Sequence, residues 1–86
     1  MTWIPIFSGT FKRGYKSLDR LAQQRVDEAI ENLLSAEDPS KLGHRLHGRW
    51  EGAFSYAIGK QFRLIFQVDF EKKFVVFLAV GTHKIY

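Results

Sequence analysis

The stretch Phe62-Arg63-Leu64-Ile65-Phe66-Gln67-Val68-Asp69-Phe70 decides the fold. Large apolar side chains recur in it at every second position, which is the period of a β-strand with one buried face. The apolar set is Phe62, Leu64, Phe66, Val68 and Phe70, and the other set is Gln61, Arg63, Gln67 and Asp69. The alternation predicts a sheet whose apolar side is covered by another layer and whose open side carries Arg63.

Two further strands are predicted beside this one. Residues 53–58 precede a turn at Gly59-Lys60, and residues 74–80 are continuously apolar, as expected for a strand in the middle of a sheet. A two-residue connection near Gly59 would place Phe54 and Tyr56 on the open face beside Arg63, whereas a three-residue connection would place them in the core. We favour three residues, because that register hides the large apolar side chains.

The N-terminal half predicts one strand and a helical hairpin. Pro5 lacks an N–H group, so the strand at residues 3–7 belongs at a sheet edge. Residues 10–16 predict a short helix, and Ser17 is the predicted N-cap of a second helix that Pro39 ends. Apolar residues recur at helical spacing at Leu18, Ala22, Val26, Ala29, Ile30, Leu33 and Leu34. Residues 39–52 read as a loop, or as a loop and a short strand.

These elements define an α+β fold: an N-terminal strand, a helical hairpin, then an antiparallel sheet of three further strands, with the helices packed on one face. Eighty-six residues allow a single domain, residues 1–86. An apolar share of 45% excludes a disordered chain, and the lack of Cys excludes disulfides and thiolate chemistry. The start of the chain lacks the pattern of a signal peptide, and no stretch is long enough to cross a membrane, so we expect a cytoplasmic protein.

Positive charge is concentrated in the middle of the chain. Residues 41–63 carry five basic side chains against Glu51 alone, a net of +4. This concentration favours a surface for a polyanion, although a basic face also serves solubility and charge alone leaves both readings open. The residues predicted to contact RNA are Lys41, Arg45, His47, Arg49, Lys60 and Lys84.

The chemistry-bearing residues suit cleavage of RNA without a metal. That reaction needs a base for the 2′-OH, a cation for the phosphorane and an acid for the leaving oxygen. His44 and His83 offer imidazoles, the side chain that most often serves as acid or base, and Arg63 offers a planar fork of donors. The same histidines could be plain surface, and a three-His zinc site is conceivable, although His44 and His47 lack the helical context for it. No phosphate-binding glycine loop, acidic cluster or serine elbow occurs.

Three segments resemble the RelE/ParE superfamily of toxins from type II toxin–antitoxin modules, in particular its RelE/YafQ-like branch. They are residues 41–52 (KLGHRLHGRWEG), 61–66 (QFRLIF) and 81–86 (GTHKIY). The resemblance spans the whole chain and implies a ribosome-dependent mRNA endonuclease that uses no metal and no cofactor. It also implies three partners: a cognate antitoxin, the ribosome and mRNA.

The resemblance implies catalytic roles for four residues. His44 matches the histidine before the Gly-x-Trp element and would act as a base or phosphate contact. Arg63 matches the arginine that stabilises the transition state, and His83 matches a histidine that would act as the acid. Tyr86 lies near the position of a C-terminal aromatic residue, with spacing one residue shorter.

Two departures from the YafQ-like pattern leave alternatives open. Ala57 and Gln61 stand where YafQ-like proteins carry His and Asp. The chain could therefore be a slow toxin, use another arrangement, or be inert and mainly bind RNA or an antitoxin. The ParE branch, which targets DNA gyrase, shares the fold and remains an alternative.

Overall fold

One sheet with two helices on one side makes up the computed structural model, which describes residues 3–85 apart from the side chain of His83. The strands are β1 (Ile4–Phe7), β2 (His44–Arg45), β3 (Phe54–Ile58), β4 (Phe62–Asp69) and β5 (Phe74–Thr82). The helices are α1 (Gly9–Lys16) and α2 (Arg20–Ser35), and three 3-10 turns cover Pro39–Leu42, Gly48–Trp50 and His83–Ile85. The predicted α+β class is confirmed. None of the helices in the described part has the length and apolarity that crossing a bilayer demands.

The sheet has the order β1-β5-β4-β3-β2 and is mixed. β1 pairs in parallel with β5, while the other neighbours are antiparallel. Pro5 therefore lies on an edge strand, as predicted. The short strand that the sequence left open within residues 39–52 exists as β2, and it covers only Phe54 and Ser55 of β3.

Side-chain caps set the helix boundaries. The Ser8 hydroxyl accepts the Phe11 N–H at 3.0 Å and donates to the Leu78 carbonyl of β5 at 2.8 Å, so it both starts α1 and ties it to the sheet. The predicted N-cap of α2 is wrong: Asp19 accepts the Ala22 N–H at 2.8 Å. Ser17 instead ends α1, because its own N–H bonds to α1 carbonyls. α2 ends at Ser35, before Pro39, which opens a 3-10 turn capped by Asp38.

The main core lies between the helices and the sheet. Val26 and Leu33 of α2 are fully buried against Leu64, Phe66 and Phe77 of the central strands. Each such side chain stabilises the fold by about 1.5–3 kcal/mol relative to exposure. Phe70, predicted to share this face, is 52% exposed because β4 already ends at Asp69.

The connection between β3 and β4 has three residues, as predicted. Ile58 pairs with Phe62 across Gly59-Lys60-Gln61, and Gly59 takes the positive φ of 64° that this turn requires. Phe54 and Tyr56 consequently pack toward the helices. Ser55, Ala57 and Arg63 lie on the opposite side of the sheet, which we call the distal face.

Close contact between α1 and β5 gives a test of the helix packing. A Cβ atom at Gly14 would lie 2.5 Å from the Val80 carbonyl oxygen, whereas one at Gly9 would make only an ordinary contact at 3.5 Å. We expect Gly14→Ala to lower the free energy of unfolding by about 1–3 kcal/mol, because backbone must move to admit the methyl group. Urea denaturation measures the effect. Gly9→Ala is the matched control, and an equal loss in both variants would contradict this account of the packing.

Candidate active site and nucleic-acid interface

The distal face is partly covered, which corrects the expectation of a fully open face. Ala53, Ile65 and Ala79 are buried there in a second, smaller apolar cluster. The side chains that pack against it are Leu46, Trp50, Leu78 and Ile85. Cover comes from two 3-10 turns, Gly48–Trp50 and His83–Ile85, which contribute Trp50 and Ile85. Trp50 is therefore partly buried against this cluster.

Arg63 stands between two very small neighbours. It pairs with Ala57 of β3 on one side and with Gly81 of β5 on the other, so neither carries a side chain that reaches as far as the guanidinium. The Arg63 Nη1 group donates to the Phe62 carbonyl at 3.0 Å. A guanidinium has five N–H donors, so most remain available to a ligand.

The charge of Arg63 has no acidic partner in the part of the chain that the structure describes. The ion pair found there within 4.0 Å joins His47 Nδ1 to Glu51 at 3.9 Å. Asp69, at the other end of β4, accepts backbone N–H groups of Glu71 and Lys72 at 3.1 Å. The distal face thus presents a half-buried cation that no carboxylate of residues 3–85 neutralises.

His44 lies on the same face as Arg63, one row away. It pairs with Ser55, which pairs with Ile65, whereas Arg63 belongs to the next row along β4. Strand spacings of about 4.8 Å and a rise of about 3.3 Å per residue put the two Cα atoms about 12 Å apart. His44 is exposed, so both side chains can reach one ligand from different sides.

The C-terminal turn folds back beside Arg63. A Cβ atom at Gly81 would lie only 2.7 Å from Ile85 Cγ2, so Ile85 occupies the space above Gly81, the direct neighbour of Arg63. His83 starts this turn. Its side chain and all of Tyr86 fall outside the described residues, and their catalytic roles stay predictions. Sequence reasoning missed Gly81 and Ile85. The pairing of β4 with β5 identifies Gly81, and the packing of the last turn over Gly81 identifies Ile85.

The predicted RNA-binding residues separate into groups. Lys60 and Lys84 line one groove of about 370 Å³ at the end of the sheet, together with Gln61 and Thr82. Arg45 pairs with Phe54, which packs in the helix-side core, so its side chain lies on the face opposite to His44.

The remaining three predicted RNA-binding residues are exposed around β2: Lys41, His47 and Arg49. Lys41 is in the turn Pro39–Leu42, and His47 lies beside Glu51. The Arg49 guanidinium lies 5.7 Å from the centre of the Trp50 ring, at the edge of the distal face. Within residues 3–85, the His83 side chain excepted, no group of three His, Cys, Asp or Glu side chains is arranged to hold a metal.

Comparison with known proteins identifies the class. The family model described as the ParE toxin of type II toxin–antitoxin systems matches residues 6–85. The chain belongs to this family and is the toxin of a toxin–antitoxin module in the RelE/ParE superfamily. No curated protein sequence matches it.

Solved structures agree with the fold. A chain of the RelBE2 toxin–antitoxin complex from Mycobacterium tuberculosis is 28% identical, with a TM-score of 0.82 over 95% of this chain and 99% of that one. A doubly substituted E. coli RelE in the free state is 20% identical, with a TM-score of 0.78 over 99% and 87%. E. coli YafQ is 21% identical, with a TM-score of 0.64 over 96% of each chain.

The contact between Gly81 and Ile85 can be tested with a double-mutant cycle. We expect Gly81→Ala to lower the free energy of unfolding by about 1–3 kcal/mol, because its methyl group and Ile85 cannot share the same space. Adding Ile85→Ala removes the clashing atom, so the double variant should lose less than the sum of the single losses. Urea denaturation gives all four stabilities. Additive losses would show that the turn does not lie on Gly81.

Proposed function

We propose that the toxin is a ribosome-dependent mRNA endonuclease that uses no metal, with Arg63 at its centre. The observation that carries the proposal is the guanidinium of Arg63 on the distal face, which pairs with no carboxylate among the described residues. It stands between Ala57 and Gly81, with His44 on the same face. Exposed Ala57 leaves the β3 side of the guanidinium open to a phosphate, whereas Ile85 covers Gly81 on the β5 side. An arginine that served only solubility would need no such clearance.

The proposed reaction transfers the phosphoryl group within the RNA, from the 5′-oxygen of the next nucleotide to the 2′-oxygen. The 2′-oxygen attacks the adjacent phosphorus, a bond from that oxygen to phosphorus forms, and the bond to the 5′-oxygen breaks. The products are a 2′,3′-cyclic phosphate and a free 5′-hydroxyl. Arg63 donates hydrogen bonds to the non-bridging oxygens as negative charge builds up on them.

Proton transfer is assigned to the imidazoles. His44 takes the proton from the 2′-hydroxyl or contacts the phosphate, and His83 gives a proton to the leaving 5′-oxygen. Histidine suits both tasks because its ordinary pKa is about 6.5. Tyr86 is proposed to stack on a base or donate a proton at the same site. No metal and no cofactor enters this scheme.

The structural neighbours support an antitoxin partner. The RelBE2 complex and the E. coli RelBE complex were solved with toxin and antitoxin together. We infer that a cognate antitoxin binds this chain as well. The ribosome and mRNA are part of the proposal, and we place the reaction in the cytoplasm, where both occur.

A gyrase inhibitor is the second candidate function. The observation in its favour is that the matching family model is the one for ParE, while Ala57 and Gln61 replace the His and Asp of YafQ-like proteins. This function predicts gyrase-dependent breaks in DNA and intact mRNA. A supercoiling assay with purified gyrase separates it from the nuclease.

Replacing Arg63 tests the nuclease directly. In a translating extract, primer extension should show mRNA cleavage by the unmodified toxin and a loss of about 10²–10³-fold with Arg63→Ala, the range for removing a transition-state donor. Arg20→Ala is the control: it removes the same charge from an exposed position of α2, on the helix side of the sheet. Chelation of divalent metals cannot be used here because the ribosome needs Mg²⁺.

Two results would count against the nuclease. One is undiminished cleavage by a folded Arg63→Ala toxin. The other is intact mRNA in the presence of unmodified toxin that nevertheless arrests growth, which would favour the gyrase function if gyrase-dependent DNA breaks accompany the arrest.

A further inference from the structure

We propose that Lys60 and Lys84 form a second anion subsite, which holds the RNA backbone phosphate next to the one bound at Arg63. The inference rests on the proposed nuclease function and adds to it a defined path for the RNA strand. The ligand is the sugar–phosphate backbone of single-stranded RNA, since the proposed substrate is mRNA.

The subsite is a groove between two chain segments far apart in sequence. The β3–β4 connection contributes Lys60 and Gln61, and the C-terminal end of β5 and its following turn contribute Thr82 and Lys84. Its volume of about 370 Å³ is ample for a phosphate group. Two ammonium groups, an amide and a hydroxyl are the donors that such an anion requires.

No acidic side chain neutralises the two lysines. Within the described residues neither forms an ion pair. Two carboxylates border neighbouring grooves. Asp19, whose Oδ1 accepts the Ala22 N–H, lines the groove that contains Gln61, and Glu28 lines the groove that contains Gly59. Arg25, whose Nη1 lies near Gly59, adds a further cation to these surroundings. An anion is thus favoured at this end of the sheet.

The backbone on both sides of the groove is fixed. Lys60 belongs to the three-residue turn that Gly59 makes possible with its positive φ. Lys84 follows Thr82, whose hydroxyl oxygen accepts the Lys84 N–H at 3.4 Å, and precedes Ile85, which packs over Gly81. The two lysines are therefore held on opposite walls of one groove by the same contacts that shape the site around Arg63.

Spacing along β4 relates the groove to Arg63. Gln61 belongs to the β3–β4 turn, two residues before Arg63, and Thr82 pairs with Phe62, the residue beside Arg63 at the start of β4. The groove therefore lies within two residues of Arg63, a distance that one nucleotide step of an extended RNA chain can span. An RNA strand whose scissile phosphate contacts Arg63 would bring its neighbouring phosphate to the groove. Arg45 lies on the other face of the sheet and cannot contact the same RNA strand there.

Salt dependence of binding tests the subsite without requiring cleavage. The probe is a fluorescent single-stranded RNA oligonucleotide with 2′-O-methyl groups, which cannot be cut by attack of the 2′-oxygen. For single strands the slope of log K against log salt concentration changes by about 0.7 for each phosphate contact. We expect Lys60→Ala and Lys84→Ala each to reduce the slope by about 0.7, and the double variant to lose little more, because both lysines bind one phosphate.

Lys12→Ala/Lys16→Ala is the matched control, since both residues lie on α1 on the opposite side of the sheet and are exposed. The slope for this control should differ from that of the unmodified toxin by less than half of the change expected for one phosphate contact. Additive changes of about 1.4 in the Lys60/Lys84 double variant would show two independent surface charges and overturn the shared subsite. Unchanged slopes, or no measurable binding by the unmodified toxin, would overturn it as well.

The test separates the two proposals. If the unmodified toxin cleaves mRNA and Arg63→Ala abolishes cleavage while the lysine variants bind with an unchanged slope, the nuclease stands and the subsite fails. If the lysine variants show the shared slope loss but mRNA is never cleaved, the phosphate-binding groove stands and the nuclease fails.

Discussion

The register between β3 and β4 is the constraint on which the rest of the structure depends. Ile58 pairs with Phe62 around a three-residue turn, and this pairing sends Phe54 and Tyr56 toward the helices and Arg63 away from them. A slip of one residue would exchange the two faces of the strand. It would move Phe54 and Tyr56 from the core to the distal face beside Arg63, at a cost of about 1.5–3 kcal/mol for each buried side chain that becomes exposed. The hydrophobic effect thus keeps large apolar side chains of β3 away from the proposed catalytic cation.

The same register explains why the distal face is only partly covered. The residues at the centre of this face, Ser55, Ile65 and Ala79, are small or buried. Trp50 and Ile85 pack over them. Arg63 lies one row further along, between Ala57 and Gly81. The apolar cluster holds both 3-10 turns against the sheet. In the neighbouring row Ile85 covers Gly81, while exposed Ala57 leaves the other side of Arg63 open to a ligand. Stability and the proposed function therefore occupy adjacent rows of one surface.

Much of the fold could be predicted from the chain itself. The alternation in residues 62–70 gave the main strand and the face of Arg63, and helical spacing gave the buried side of α2, because both signals come directly from burial. The exact ends of the helices and strands were harder to predict. Ser17 and Asp19 are both good caps, and only the hydrogen bonds of the folded chain choose Asp19. Phe70 fits the alternation, but the strand ends before it, and no local pattern marks that end.

The candidate site could be predicted only in part for a related reason. Residue types and spacing pointed to His44 and Arg63, and the sheet places both on one face. The sequence could not show that Arg45 lies on the other face, because that depends on the two-residue strand β2. Nor could it show Ile85 above Gly81, a contact between a turn and a strand that only the folded chain brings together.

The central claim is that RNA lies on the distal face against Arg63. The most direct measurement is an NMR titration of isotope-labelled toxin with uncleavable 2′-O-methyl RNA. The account predicts that the Arg63 Nε–Hε resonance and the backbone amides of Ala57 and Gly81 shift together, while the amides of α2 stay in place. Shifts concentrated in α1 and α2, with Arg63 unchanged, would contradict it.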